Sequence, residues 1–270
     1  MPSSNAVIII PARYDSQRFP GKPLSMIKGM SLLERVWRIG MQVKNAEQCY
    51  IATDDPRIAE HAKSIGAAVI MTSSDCATGT DRVAQAALSV ANRDTIVLSL
   101  QGDAVLTPPW VVENLITALE NSEAGMATPA VAMTGEKLKA FLAHKKRSPS
   151  SGTTVVFKNN NNQDKNQDKE ALYFSKQPIP FYRDLNQPDA VMYRHIGLYA
   201  YRFHTLNLLQ SLAPSPLEKI EKLEQLRALE NNIPIQVVLV DYQGRSHGSV
   251  DTPEDILLIE SIINKEGELV

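Results

Sequence analysis

The sequence predicts an α/β protein: a mainly parallel sheet with helices packed on both faces. Three observations carry that expectation. Ala6-Val7-Ile8-Ile9-Ile10 is an uninterrupted apolar run that stops at Pro11, the pattern of a strand buried on both sides. From there to about residue 131, strand and helix patterns alternate, and a βαβα order builds parallel sheets. No Gly/Pro-rich linker or large repeat divides the 270 residues, so they read as one compact unit with a small inserted subdomain.

After the first strand, Ser31-Leu32-Leu33-Glu34 is a capping-box sequence that opens a helix running to about Val43. Gln48 to Thr53 reads as the second strand, closed by Asp54-Asp55-Pro56. Pro56 suits the first turn of a helix ending near Gly66. Ala68 to Met71 is a short strand, Thr80 to Ala91 a helix, and Thr95 to Leu100 another buried strand. Thr107 is placed to cap the next helix with Pro108 in its first turn, and Met126 to Val131 follows as a strand. Farther on, strands are expected at Thr153 to Lys158 and Ala171 to Phe174, joined by a polar, repetitive segment (159–169) that reads as a mobile hairpin tip. Tyr193 to Tyr201 is expected as one strand, followed by two helices up to about Asn231. Ile235 to Val240 is a late strand, and Thr252-Pro253-Glu254-Asp255 caps the last helix.

Composition narrows the function. Hydrophobic residues make up 43% and charged residues 21%, which is ordinary for a globular protein. A net charge of −2 argues against a broad nucleic-acid-binding face, so any basic patch must be local. No apolar run approaches the ~20 residues that span a bilayer. No signal peptide is expected, because no basic region precedes a hydrophobic stretch at the start. Cys49 and Cys76 form neither a metal spacing nor a disulfide framework. The expectation is a cytoplasmic protein with no membrane partner.

One local basic patch stands out. Pro11 to Leu24 carries Arg13, Arg18 and Lys22, with Gly21 allowing close backbone approach. A cationic loop at the carboxyl end of a first strand is where α/β proteins hold phosphates. Gly21-Lys22 runs into Pro23 rather than Ser or Thr, and no G-x-G-x-x-G occurs, so neither familiar nucleotide loop fits. Asp103 ends the strand 95–100, and Asp251 precedes the last helix. Two carboxylates beside a triphosphate make a hard-oxygen site for Mg²⁺, although a turn aspartate at 103 and a helix cap at 251 are the plainer readings of each alone. Thr80 and Asp81 either contact a base or ribose or simply start a helix. His195 and Tyr199, four apart on a strand, point to one face. Glu218, Glu221 and Gln225 fall at helical neighbour spacing and suit sugar hydroxyls or a solvated charged face.

Read together, these residues resemble the 3-deoxy-manno-octulosonate cytidylyltransferases, also called CMP-Kdo synthetases. The resemblance rests on Ala12-Arg13-Tyr14 through Lys22-Pro23-Leu24, Ala52-Thr53-Asp54-Asp55, Thr78-Gly79-Thr80-Asp81-Arg82, Gln101-Gly102-Asp103, Ala171-Leu172-Tyr173-Phe174-Ser175 and Arg194-His195-Ile196-Gly197-Leu198-Tyr199. It continues through Pro214-Ser215-Pro216-Leu217-Glu218, Leu223-Glu224-Gln225-Leu226-Arg227 and Val250-Asp251-Thr252-Pro253-Glu254-Asp255.

It implies a nucleotide-diphospho-sugar-transferase-like fold, with a core of about 1–132 and 232–270 and a smaller α/β dimerisation lobe of about 133–231. It also implies Mg²⁺-dependent transfer of CMP from CTP to a 3-deoxy-2-ulosonic acid, with release of pyrophosphate, for surface polysaccharide synthesis. Nucleotide contacts are then expected at Ala12, Arg13, Arg18, Lys22, Thr80, Asp81 and Gln101, and sugar contacts at His195, Tyr199, Glu224 and Gln225. The expected catalytic set is Arg13, Lys22, Asp103 and Asp251, the two aspartates holding the metal. A homodimer joined through the 153–174 strands is expected.

Two departures from the family pattern bear on the sugar. The family commonly reads Gln-Gly-Asp-Glu-Pro, whereas Asp103 is followed here by Ala104-Val105. Family members often carry Asn and Lys ahead of the Val-Val pair, where this chain reads Ser148-Pro149-Ser150-Ser151-Gly152-Thr153-Thr154. The competing readings are a sugar-1-phosphate nucleotidyltransferase, a related CMP-ulosonate synthetase acting on another acid, and a non-catalytic nucleotide-binding homologue.

Overall fold

Strand β1 (Ala6–Pro11) is buried along its whole length, and its side chains divide between two cores. Ala6, Ile8 and Ile10 join one cluster; Val7 and Ile9 join the other. The period of two in a strand makes this division, and it requires a helical layer on each face of the sheet. The computed structural model describes residues 5–15, 19–159, 169–185, 187 and 189–270. Arg18 and positions 160–168 of the expected hairpin tip lie outside the described residues.

The first core is closed by α1 (Leu32–Met41), α2 (Pro56–Ser64), α4 (Pro109–Glu120) and α9 (Pro253–Glu266). The second is closed by α3 (Gly79–Ala87), α6 (Phe203–Ser211) and α8 (Gln225–Glu230). Ser31 caps α1 by accepting from the Glu34 amide at 3.0 Å. Asp55 caps α2 ahead of Pro56, and Thr252 with Asp255 forms a capping box on α9. In α4 the cap falls one residue later than expected. Pro108 is the N-cap and Pro109 the first helical residue, since two successive prolines both suit the orphan-donor turn.

The expected parallel sheet is present as β5 (Ala68–Met71), β4 (Gln48–Thr53), β1 and β6 (Ile96–Ser99). A second parallel pair joins β7 (Met126–Met133) to β12 (Ile235–Leu239). The complete ten-stranded sheet is mixed, because β11 (Tyr199–Arg202) enters antiparallel between β6 and β7. The remaining strands are β8 (Thr153–Asn159), β9 (Lys169–Ser175) and β10 (Met192–His195). Their pairings run β7–β10–β8–β9–β12 and back to β7, a closed circuit in which β10 pairs with Thr153–Val155 of β8 and β12 meets β9 at the single pair Gln236–Glu170. The segment 133–231 therefore adds its strands to the same sheet as the rest of the chain.

The single strand expected over Tyr193–Tyr201 is two strands with a break at 196–198. β10 pairs with residues 130–133 of β7, and β11 with residues 126–127. Between them lie Thr128 and Pro129. Proline has no amide to donate to a ladder. The Thr128 hydroxyl instead donates to the Leu198 carbonyl at 2.8 Å.

Three helices, not two, follow β11. α7 (Pro216–Glu221) ends at Lys222, whose φ of 56° is left-handed, and α8 starts afresh after buried Leu223. Helix α5 (Gly135–Arg147) has no counterpart in the sequence reading, because only Leu138, Phe141 and Lys145 of it are buried and its apolar stripe is too thin to see. The two-residue strands β2 (Met26–Ile27) and β3 (Met30–Ser31) are likewise too short to show a period; being earlier in the chain, they form a separate hairpin after β1. No described helix is long and apolar enough to cross a membrane.

Candidate active site

β1 and β6 lie side by side and end together, which brings their exit loops into contact. Gly102 makes that possible. A Cβ there would fall 2.7 Å from the Pro11 carbonyl oxygen, a backbone atom that cannot yield. The next residue, Asp103, is thereby held beside the cationic turn. Gly21, at φ 72°, donates its amide to the Tyr14 carbonyl at 2.9 Å and starts a 3-10 turn over Lys22–Leu24. That turn aims Lys22 back across the strand ends.

The Lys22 ammonium joins three distant segments. It donates to Asp103 Oδ2 at 2.8 Å and to the Val250 carbonyl at 2.9 Å, one residue before Asp251. Its side chain is only 18% exposed, so the contact is little screened by water. A cleft of about 210 Å³ opens here, and Ala12, Arg13, Lys22, Gln101, Asp103 and Asp251 all line it. The structure thus brings the cationic turn and both aspartates to one place. Arg13 is exposed, and Gln101 is held by a 3.2 Å hydrogen bond from its Nε2 to Ser99 Oγ.

Thr78 and Gly79 complete one wall at the start of α3. Asp81 is turned away from the cleft: its carboxylate accepts from the Thr78 amide at 2.8 Å, and Thr78 Oγ1 accepts from the Asp81 amide at 3.1 Å. Thr80 is buried behind that wall and donates to Glu224 Oε2 at 2.7 Å. It lines a second, very small pocket with Tyr199, Glu224 and Gln225. Tyr199 donates to Gln225 Oε1 at 3.0 Å, and the His195 ring lies 5.6 Å from the Tyr199 ring. The four residues with expected sugar roles are therefore neighbours, joined to the nucleotide cleft through the first turn of α3. Glu218 and Glu221 do not share a helix with Gln225. Glu218 pairs with Arg227, and Glu221 accepts from Ser175 Oγ and the Lys176 amide. This face is not solvated: Gln225 and Arg227 are buried.

Burial governs the titration of this second cluster. It pushes the Tyr199 hydroxyl up, with the Glu224 charge adding to the effect. It also raises Glu224, against the opposing pull of Thr80 and Arg227. His195 is brought down to about 3, by burial first and then by Lys176 and His247. Because Thr128 Oγ1 spends its proton on Leu198, it accepts from His195 Nε2, which assigns the neutral Nε2–H tautomer. His247 is brought to about 4 by burial and then Arg194.

Both histidines are depressed, so folding loses stability as pH falls below the ordinary value of 6.5, where only the unfolded chain takes up the protons. At pH 5.5 each costs about 1.4 kcal/mol, together about 3 kcal/mol relative to pH 7.5. Urea unfolding at the two pH values measures this; equal midpoints would show that both rings are hydrated.

Arg82 was not among the expected site residues, yet it lines the cleft while 3% exposed. Its Nη1 pairs with Asp54 Oδ1 at 2.9 Å and donates to Thr72 Oγ1 at 2.5 Å. An arginine on the apolar face of a helix was the available signal. Lys145 is another buried cation on a helix, but it does not line the cleft. Its ammonium donates to the Ser151 carbonyl at 2.8 Å and to those of Pro149 and Gly152, holding the segment that leads into β8. Thr154, the departure noted above, donates to the Gln177 carbonyl at 2.8 Å and accepts from the Ile179 amide at 3.1 Å.

The donor set suits a divalent hard cation in part. Asp103 and Asp251 face one cleft, and among the described residues no group of three or more His, Cys, Asp or Glu side chains is placed to hold a metal. Mg²⁺ is commonly held by one or two carboxylates, with water and substrate phosphates supplying the rest. Only Oδ2 of Asp103 is engaged by Lys22.

A family model described as cytidylyltransferase matches residues 7–235. A 3-deoxy-manno-octulosonate cytidylyltransferase of Maricaulis maris (strain MCS10) is 48% identical over 269 residues, covering 98% of this chain and 100% of that protein. An 8-amino-3,8-dideoxy-manno-octulosonate cytidylyltransferase of Shewanella pealeana (strain ATCC 700345 / ANG-SQ1) is 41% identical, with 95% and 98% covered. Among solved structures, a CMP:2-keto-3-deoxy-manno-octonic acid synthetase complexed with CTP superposes with a TM-score of 0.82 at 34% identity, covering 97% of this chain and 99% of that one.

Proposed function

The chain belongs to the cytidylyltransferase family of nucleotidyltransferase enzymes, and from that premise we propose that it transfers CMP from CTP to the anomeric hydroxyl of 3-deoxy-manno-octulosonate, releasing pyrophosphate. One observation carries the reading: the Lys22 ammonium bonded at once to Asp103 and to the carbonyl preceding Asp251, at the carboxyl ends of β1 and β6. Ligands of open α/β sheets sit at such strand ends.

In this reading the triphosphate lies along Arg13 and Lys22, with Arg18 as a further expected contact. The sugar 2-hydroxyl oxygen forms a bond to the α-phosphorus as the bond from that phosphorus to the bridging oxygen of pyrophosphate breaks. The hydroxyl proton is lost to solvent. Arg13 and Lys22 stabilise the charge that grows on the leaving group, and fixed charges of this kind supply much of the acceleration in phosphoryl-type transfer. Asp103 and Asp251 are the residues to hold a divalent ion, expected to be Mg²⁺, which when bound polarises the α-phosphate and lowers the pKa of the attacking hydroxyl. Ala12 and Gln101 are proposed to border the nucleoside, while Thr80, behind the cleft wall, and Asp81 act through the helix start to which they belong. His195, Tyr199, Glu224 and Gln225 are proposed to form the sugar side. A homodimer is proposed to form through β8 and β9; sedimentation at the monomer mass would reject it.

Pyrophosphate release from CTP with a panel of acids tests the assignment. Turnover with 3-deoxy-manno-octulosonate is expected. Preference for its 8-amino analogue, the substrate named for the Shewanella relative, would move the sugar assignment within the family. Turnover only with a sugar 1-phosphate would overturn the reading.

A further inference from the structure

Tyr14 lies one residue beyond Arg13, and its ring is held on more than one side. The Arg57 guanidinium sits over the ring with its Cζ 3.3 Å from the centroid. Gly21 approaches so closely that a Cβ there would fall 3.2 Å from Cζ and the hydroxyl oxygen of Tyr14. Arg57 is itself oriented: its Nε donates to Asp55 Oδ1 at 3.0 Å and its Nη2 to Asp55 Oδ2 at 2.6 Å. Asp55 in turn accepts from the Arg57 amide at 2.9 Å as the cap of α2. The contacts run without a gap from the rigid end of α2, through a planar guanidinium, to an aromatic ring, to the turn that aims Lys22.

We propose that Arg57 and Tyr14 form a latch that fixes the Gly21–Leu24 turn, which carries Lys22, against α2, making both of them positioning residues for the triphosphate. The inference rests on the CTP reading above. A guanidinium stacked on a ring gains from the ring quadrupole and also shields one face of the ring from water. The bidentate carboxylate keeps the guanidinium plane from turning. With the latch made, Tyr14 and the Gly21–Leu24 turn packed against it are held ready for the ligand. Without it, ordering that turn must be driven by CTP binding, which appears as weaker nucleotide affinity rather than slower chemistry. Arg57 is 56% exposed at its side chain and touches none of the groups proposed to meet the reacting atoms. Its loss should therefore leave kcat near the parent value.

The test measures kcat, the KM for CTP, and CTP affinity by calorimetry for four single variants and one double. Arg57→Ala and Tyr14→Leu are each expected to raise the CTP KM and dissociation constant about two- to fivefold, with kcat and thermal midpoint little changed. Tyr14→Phe keeps the ring and is expected to hold the parent KM, while Arg57→Lys, which keeps charge but not the bidentate fork, falls between. Tyr14→Leu combined with Arg57→Ala should be no worse than either alone, as expected for two ends of one contact. An unchanged KM in Arg57→Ala, or full additivity in the double variant, overturns the latch. A parent protein that neither binds nor turns over CTP overturns the underlying reading instead, so the two failures are distinguishable.

Discussion

Asp103→Asn is expected to lower kcat roughly 10²–10³-fold, because it removes a fixed negative charge at the centre of the site. The substitution is nearly isosteric, so the loop held by Gly102 keeps its path. Two functions go together. The amide is a poor ligand for a divalent ion, and it cannot neutralise the Lys22 ammonium, which Asp103 meets at 2.8 Å. Lys22 retains the Val250 carbonyl at 2.9 Å, so the fold around it should persist. Steady-state kinetics across a magnesium titration, beside a thermal melt, separates the effects. A lost kcat with an unchanged melt supports the assignment. Turnover within threefold of the parent would remove Asp103 from the catalytic set, and with it the metal assignment.

The largest expected loss of stability lies in the second cluster. Arg227→Met should destabilise the chain by about 3–5 kcal/mol, the usual result of leaving one member of a buried ion pair without its partner. The Arg227 side chain is 9% exposed and that of Glu218 12%. Two short bonds join them, at 2.8 Å and 2.5 Å, and Glu224 lies 3.8 Å from the same guanidinium. Burial alone raises Glu218, but Arg227 and the Ser215 amide outweigh it, so its pKa is lowered overall. Its contribution to stability is then present above the ordinary carboxylate range and is lost as pH falls through the lowered folded value. Urea denaturation of Arg227→Met, with Arg227→Met/Glu218→Gln as comparison, measures the pair. The double variant should recover more than half of the loss, since the carboxylate that Arg227 meets most closely is then neutral and only the more distant Glu224 loses its cation. A single-variant loss under 1 kcal/mol would mean the cluster is hydrated.

How much of this was legible in the sequence varies with how local the cause is. The strand 6–10, the helix cap at Ser31, the helix start at Pro56, and the cationic character of the loop after the first strand were all readable, because each depends on residues a few positions apart. The short elements were not: β2 and β3 span two residues each, and α5 buries too few side chains to show a period. The break at 196–198 was hidden because its cause, Thr128 and Pro129, lies about 70 residues earlier. Arg82 and Arg227 were visible as charges, but whether such a charge faces water or a buried carboxylate depends on what packs over it.

Local chemistry in the chain determined which residue types were available: cations in a turn after a buried strand, acids at the exits of later segments, and glycine where backbones must nearly touch. Only the folded chain decided that Lys22, Asp103 and Val250 meet, across 81 and 228 positions of sequence. Contacts of that kind arise from strand order, which is set by burial summed over the whole sheet and leaves no mark at any single position.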